Sequence, residues 1–275
     1  MSQSMNNLKI YCISLDPSHL KSIQELGYVP VGLGKNFFNN EWVNDKTGNN
    51  IAFKNVNYGE YTFHYWLWKN NKIQFDGWIG FCQYRKFWKK NSGSHVVSKL
   101  SDLGNLILKE IPNELQSYET IIGESLFINQ FRFSKFIKKN FQKILKKPIL
   151  LFDKNKRTIK FHFDMMHGDG NLDRAISLLD AENRKDFSNF VNSETSFNPH
   201  NMFICKNKNI LKSYYESLFP WLEECEKIFG FENLKEFGLK RIYGFLAERY
   251  MSYWFKKNTN YFILPIQIKD ISDFE

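Results

Sequence analysis

The chain has 275 residues, 38 Lys and Arg against 29 Asp and Glu, a formal net charge of +9, and 43% hydrophobic residues. That suits one domain with a full core, and it leaves no apolar run long enough to span a bilayer. No basic segment followed by an apolar one opens the sequence, and the cysteines Cys12, Cys82, Cys205 and Cys225 are scattered without metal-type pairing, so a cytoplasmic protein with reduced thiols is expected.

Taken in chain order, 8–15 reads as a buried strand and 28–33 as a second. A polar loop follows from Gly34 to Asn50, in which Gly48 permits a turn conformation. Residues 55–70 are expected to form a helix, with Glu60 and His64 one turn apart. The apolar run 78–82 reads as a buried strand and ends abruptly in Gln83-Tyr84-Arg85-Lys86. Ligands of open α/β sheets bind beyond the carboxyl ends of strands, so this cationic cluster is a candidate site for an anionic ligand. A helix is expected at 100–111 and a strand at 119–122.

From Phe131 to Pro148 seven basic residues occur with no acid: Arg132, Lys135, Lys138, Lys139, Lys143, Lys146 and Lys147. Phe133, Phe136, Ile137, Phe141, Ile144 and Leu145 repeat at helical spacing between them, so 131–148 reads as a basic amphipathic helix, suited to packing on a core or to an anionic membrane surface. Downstream, helices are expected at 169–180, at 209–229 with a kink near Pro220, and at 239–256, with a short strand at 201–205. Strands alternate with helices in the first half and helices dominate the second, which indicates an α/β fold with a helical C-terminal part.

Several residue types in this pattern can carry chemistry. Arg85 and Lys86 can neutralise a phosphate, Arg85 through bidentate contacts. Asp45 and Asn50 flank the Gly48 loop and can meet ligand hydroxyls, although both residue types also form turns on their own. The run His167-Gly168-Asp169-Gly170-Asn171-Leu172-Asp173 places an imidazole and two carboxylates within seven residues. A carboxylate held there can take a proton from a hydroxyl, and Asn171 with Asp173 can equally cap a helix.

Asp45, Gly48, Asn50, Ile51, Lys54, Asn55, Tyr58, Glu60, Thr62, Tyr65, Trp66, Trp68, Lys69 and Asn70, then Asp76, Ile79, Gly80, Tyr84, Arg85 and Phe87, form an ordered pattern. His167 with Leu172, Asp173, Ala175 and Ile176, the run from Asn201 to Ile204, and Arg241 with the run from Gly244 to Arg249 continue it. The whole resembles a glycosyltransferase-like family from bacterial capsular and exopolysaccharide loci, long catalogued as a domain of unknown function. Gln83 stands where that family has histidine, Lys86 where it has a second arginine, and Asn171 where aspartate is usual. The resemblance implies a single GT-A-like, Rossmann-type nucleotide-sugar-binding domain: a donor-binding part to residue 130, the basic insertion over 131–160, and an acceptor-side part over 161–275.

It further implies transfer of a sugar, galactofuranose or galactose, from a UDP-linked donor to a lipid-linked or polysaccharide acceptor, by a cytoplasmic protein peripheral on the inner face of the membrane. Asp45, Asn50, Asn55, Tyr58, Lys69, Gln83, Tyr84, Arg85 and Lys86 are then the donor-side candidates. Asp169, His167 and Glu60 are the catalytic ones, with Asp169 as base, and Asp173, Asn201 and Arg241 serve the acceptor or sugar. Many GT-A enzymes hold a divalent metal on a D-x-D motif, whose place here reads Gln83-Tyr84-Arg85 without a carboxylate, so no metal ligand is assigned. Arg249 is read as the partner of Glu248 in a buried pair. The alternative from another class is a non-enzymatic binder of nucleic acid or anionic lipid; the basic residues concentrate in one helix without an RNA-binding signature, so no nucleic acid is expected. A phosphosugar transferase using the same cations is a further alternative.

Overall fold

A computed structural model describes residues 7–93, 96–130, 153–232, 234–235 and 237–274. Its strands are β1 (Leu8–Ser14), β2 (Val29–Gly32), β3 (Val43–Asn44), β4 (Trp78–Gln83), β5 (Lys86–Trp88), β6 (Thr120–Gly123), β7 (Leu126–Phe127), β8 (Ser196–Phe197), β9 (Phe203–Cys205), β10 (Tyr261–Leu264) and β11 (Ile266–Ile268). Its helices are α1 (Leu20–Glu25), α2 (Asn55–Tyr58), α3 (Tyr61–Lys69), α4 (Leu100–Leu106), α5 (Ile159–His167), α6 (Asn171–Ile176), α7 (Ala181–Ser193), α8 (Lys208–Phe229), α9 (Phe237–Lys240) and α10 (Ile242–Asn258). The expected basic helix at 131–148 lies outside the described residues.

Among the described residues nine strands form one sheet, in the order β10-β6-β9-β4-β1-β2-β3, with β5 joined to β4 and β11 joined to β5. Strands β4, β1, β2 and β3 run parallel, as do β10 and β6, while β9 enters antiparallel between β4 and β6. The central strands are largely apolar because both faces of the sheet are covered. On β1, Ile13 joins one core and Ile10 and Cys12 the other; on β4, Ile79 and Phe81 join the first while Trp78 and Cys82 join the second. Gly80 stands where β4 meets its neighbours closely, since a Cβ there would lie 3.0 Å from Ile204 and 3.2 Å from Ile10.

The chain leaves β1 toward β2 and β3 on one side and returns to β4 on the other, so the sheet's order reverses between β1 and β4. Their carboxyl ends lie level, with Ile13 opposite Gln83. A crevice forms at such a reversal because the connections diverge from it.

Three expectations change. The helix over 55–70 is two helices, α2 and α3, separated at Gly59, whose backbone turns to φ 60°, ψ −135°. Beyond the short strand expected at 201–205, which is β9, the carboxy-terminal third also returns β10 and β11 to the sheet; runs of three or four residues buried by neighbours from elsewhere carry little periodicity of their own. Asn171 is the first residue of α6 rather than its cap, a place taken by Gly170 at φ 74°.

The carboxy-terminal strands reach back to the crevice. β11 pairs antiparallel with β5, and beyond it the Lys269 and Ile271 amides donate to the carbonyls of Arg85 and Tyr84 at 3.1 and 3.2 Å. His19, on the segment after β1, stacks on Tyr84 and hydrogen-bonds Ser272 at 2.8 Å.

Three interior histidines are held neutral, chiefly by burial. His64 bonds the Tyr215 hydroxyl at 2.6 Å with its pKa brought down to about 3. His162 and His167, which also feel the Arg249 charge, are brought down to about 3 and about 2. An unfolded histidine titrates near 6.5, so as pH falls through that value the unfolded chain takes up protons that the folded chain refuses. The stability these rings contribute is full above about pH 7 and is lost as pH falls from about 6.5 toward 3, at up to about 1.4 kcal/mol per pH unit for each ring. Thermal melts between pH 7.5 and 4.5 are expected to show a steadily falling Tm, and a flat profile would contradict the neutral assignment.

Candidate functional site

A cleft of about 490 Å³ opens at the carboxyl ends of β1, β2 and β4, within the size range of small-ligand sites. Its apolar side comes from Ile13 near the end of β1, Leu15 just beyond it, and Leu33 just beyond β2. Its polar side comes from Gln83 to Lys86, from the α2–α3 break, from the segment before β9, and from the start of α10.

Glu60, at the α2–α3 break, joins these pieces. Its Oε1 accepts from Gln83 Nε2 at 3.1 Å and from Asn201 Nδ2 at 2.8 Å, and its Oε2 accepts from Arg241 Nη2 at 3.3 Å. The carboxylate can sit there because the chain turns sharply before it. Asn55 Nδ2 donates to the Gly59 carbonyl at 2.9 Å, and a Cβ on Gly59 would lie 2.2 Å from Arg241 Nη2. Gln83 ties in further through Nε2 to the His200 carbonyl at 3.0 Å, and its Oε1 accepts from Lys86 Nζ at 3.3 Å.

The second carboxylate is Glu248 on α10. Its Oε1 accepts the His200 amide at 2.7 Å, and it pairs with Arg249, which is 2% exposed and lies 4.2 Å from the Phe197 ring centre. This is the buried Glu-Arg pair expected from sequence. Burial raises the Glu248 carboxyl pKa, against the pull of the Arg249 charge. These contacts also hold two consecutive residues in the left-handed region, His200 at φ 82° and Asn201 at φ 53°. Asparagine tolerates that region; histidine enters it at some cost, which the surrounding bonds must offset.

Arg85, Lys86 and Arg241 all line the cleft, against Glu60 and Glu248. Lys86 is partly buried and its ammonium pKa falls, first through desolvation and then through Arg85 and Arg241, while Glu60 and Glu248 oppose the fall. An anion entering beside Lys86 would meet three fixed cations in a partly dry setting, where charge-assisted bonds are strong.

The sequence-predicted residues divide clearly. Asn55, Glu60, Gln83, Tyr84, Arg85, Lys86, Asn201 and Arg241 meet in the cleft. Asp45, Asn50, Tyr58, Lys69, His167, Asp169 and Asp173 are not among its lining. Asp45 is buried, which raises its carboxyl pKa. Asn50 closes the local turn by donating to the Gly48 carbonyl at 2.9 Å and accepting from the Ala52 amide at 3.2 Å, the turn-forming behaviour its type favours. Tyr58 stacks on Tyr243 and donates to Glu226 at 2.7 Å. The Lys69 ammonium lies 3.9 Å from the centre of the Trp68 ring. His167 is buried, hydrogen-bonded to the Gly238 carbonyl at 3.0 Å and stacked on Phe245. Asp169 is exposed, and the exposed Asp173 pairs with Lys160 at 2.6 Å. The short run from His167 to Asp173 is broken by the Gly168 and Gly170 turns, so nearness in sequence does not aim these groups together. His200 and Glu248 line the cleft without having been singled out for it; in sequence His200 only precedes the run from Asn201, and Glu248 lies inside the run from Gly244 to Arg249, where it was read as Arg249's buried partner.

The donor set is a poor match for a hard divalent ion, which needs free oxygen ligands. Both carboxylates of the cleft are engaged by amides and guanidinium groups, and Lys86 lies among them. Among the described residues no group of three or more His, Cys, Asp or Glu is arranged to hold a metal ion, and no helix is long and apolar enough to cross a membrane.

The sequence profile of a family described as a domain of unknown function (DUF4422) matches residues 9–259. The fold is shared with a solved structure, the WbbM bifunctional glycosyltransferase in its apo form, at TM-score 0.65 and 19% sequence identity. The match covers 96% of this chain and 45% of that one, so this chain spans less than half the length of the WbbM protein. No curated protein matches the chain.

Gly59→Ala is expected to destabilise the fold by about 1–3 kcal/mol through backbone strain and to displace Arg241 from Glu60. Thermal denaturation checks the first effect. Affinity for a nucleoside diphosphate, tested at a temperature where the variant is folded, checks the second; unchanged affinity would mean that Arg241 does not face the ligand.

Proposed function

From the premise that the chain belongs to the DUF4422 family, we propose that it is a glycosyltransferase, moving a sugar from a nucleotide-diphosphate donor to a surface-glycan acceptor. The observation that carries this reading is the convergence of Arg85, Lys86 and Arg241 on one cleft at the strand-order reversal between β1 and β4. A departing diphosphate carries concentrated negative charge, and fixed cations at that point stabilise it as the glycosidic bond breaks. The fold likeness to a protein described as a bifunctional glycosyltransferase supports the same reading.

On this reading the donor is UDP-linked, with galactofuranose or galactose the sugars to test first, and the acceptor is a lipid-linked or polysaccharide chain of a capsule or related surface glycan. The protein works in the cytoplasm on the inner face of the membrane, with 131–148 as its anionic-lipid contact. The diphosphate charge is met by side chains instead of a D-x-D-held metal, because both cleft carboxylates are engaged in internal bonds. Asn55 and Tyr84 line the donor side, and Asn201 with Arg241 the sugar side.

Thermal stability in the presence of UDP-, GDP-, dTDP- and ADP-sugars, with and without Mn²⁺ or Mg²⁺, tests the reading. One nucleotide class should raise the apparent Tm by mass action, and Arg85→Ala should abolish most of that shift without lowering the ligand-free Tm, since the Arg85 side chain is exposed. No shift with any donor, together with salt-steep affinity for oligonucleotides, would favour the nucleic-acid-binding alternative.

A further inference from the structure

We infer that the His200 imidazole is the base that takes the proton from the acceptor hydroxyl. The inference rests on the transferase reading and adds to it the identity of the proton acceptor. A base needs an open lone pair directed at the reacting space. Glu60 is committed elsewhere, because each of its oxygens already accepts, Oε1 from Gln83 and Asn201 and Oε2 from Arg241, and these bonds hold the cleft together. Glu248 is committed as well, with Oε1 accepting from the His200 amide and Oε2 paired with the buried Arg249.

His200 differs from both. Its backbone is bonded on each side, the amide to Glu248 and the carbonyl to Gln83, while neither ring nitrogen has a hydrogen-bond partner among the described residues. The ring lines the cleft together with Lys86, Arg85 and Arg241. Its backbone is held at φ 82° by the Glu248 and Gln83 bonds, the kind of local strain that accumulates at functional sites. Bonds spent on holding an unfavourable backbone, with the side chain left unpaired, suit a group that must be aimed.

The charge environment suits the same role. Facing the His200 segment are Lys86 on β5, Gln83 on β4, Glu60 before α3, and Arg241 and Glu248 at the start of α10. Burial, and after it the Lys86 charge, brings the imidazole pKa down to about 4. In the empty cleft at neutral pH the ring is therefore unprotonated. A bound diphosphate adds negative charge beside Lys86, which offsets the cations and raises the ring's proton affinity when it is needed.

The step balances as a single displacement. The acceptor oxygen forms a bond to the donor's anomeric carbon, and the bond from that carbon to the diphosphate oxygen breaks, its electron pair leaving with the nucleoside diphosphate. The hydroxyl proton passes to an open His200 ring nitrogen and is returned to solvent or to the departing diphosphate. The configuration at the anomeric carbon is inverted.

The test compares wild type with His200→Asn and His200→Gly, measuring release of nucleoside diphosphate from the donor class that stabilises the protein, with water or a sugar acceptor. Asparagine and glycine both accept the left-handed backbone, so the corner survives and only the ring is lost. We expect kcat to fall about 10²- to 10⁴-fold, the donor-induced Tm shift to persist, and the acid limb of the wild-type pH profile to disappear. Added imidazole should partly restore His200→Gly. A His200→Asn enzyme with near-wild-type kcat and an unchanged acid limb overturns the assignment, as does a variant that loses the donor-induced shift along with activity, or a product of retained configuration. A wild type that neither binds nor turns over any of the four donor classes overturns the transferase reading itself, and the role of His200 with it.

Discussion

The cleft depends on one carboxylate. Glu60 gathers Gln83 from the end of β4, Asn201 from the segment before β9, and Arg241 from the start of α10. These segments share no local sequence relation, and this group binds all three at once. A partly buried carboxylate is costly unless its oxygens are satisfied, and here two amides and a guanidinium satisfy them. The negative charge of Glu60, with that of Glu248, also permits Arg241 and Lys86 to stand close together, by opposing their mutual repulsion.

Much of this was legible in the sequence, for physical reasons. Strands buried on both faces must be apolar along their length, so β1 and β4 stood out and the cationic end of β4 was placed correctly. The resemblance supplied Glu60, Asn201 and Arg241, which β4 alone would not have suggested. What misled was reading chemistry into local density. The run from His167 to Asp173 is rich in reactive types, but two glycine turns and the burial of His167 against Phe245 scatter them. The loop from Asp45 to Asn50 is patterned for a structural purpose. Trp66 donates to the Thr47 carbonyl, and Asn70 closes on the Asn49 backbone from both its amide nitrogen and its oxygen. His200 reads in sequence as an ordinary histidine without a partner pattern, because its place in the cleft depends on a backbone angle and on bonds to distant residues, neither of which leaves a periodic trace.

Interior and cleft treat charge differently. The interior histidines are kept neutral, and the Arg249 guanidinium is enclosed by Glu248 and the faces of Phe197, Phe163 and Phe245. That pair fixes Glu248 toward the cleft, where it bonds the His200 amide. The aromatic core thereby reaches the solvent side through one ion pair, and the cleft is backed by packed rings. Such preorganisation lets fixed charges act without reorganising around their ligand.

The pairing of β11 with β5, and the bonds from Lys269 and Ile271 to the Arg85 and Tyr84 carbonyls, bear on how the molecule comes into being. The turn that carries Arg85 is made early in synthesis, but its backing strand leaves the ribosome only after α10 has been completed. A nascent chain that has emerged as far as β6 already possesses β1, β2 and β4, yet it lacks β9 between β4 and β6, the helix bearing Arg241 and Glu248, and the strand behind the cationic turn. Assembly of the cleft is thus governed by pairings between residues far apart in the sequence, and it waits for the segment from β9 to β11 to join β4 and β5.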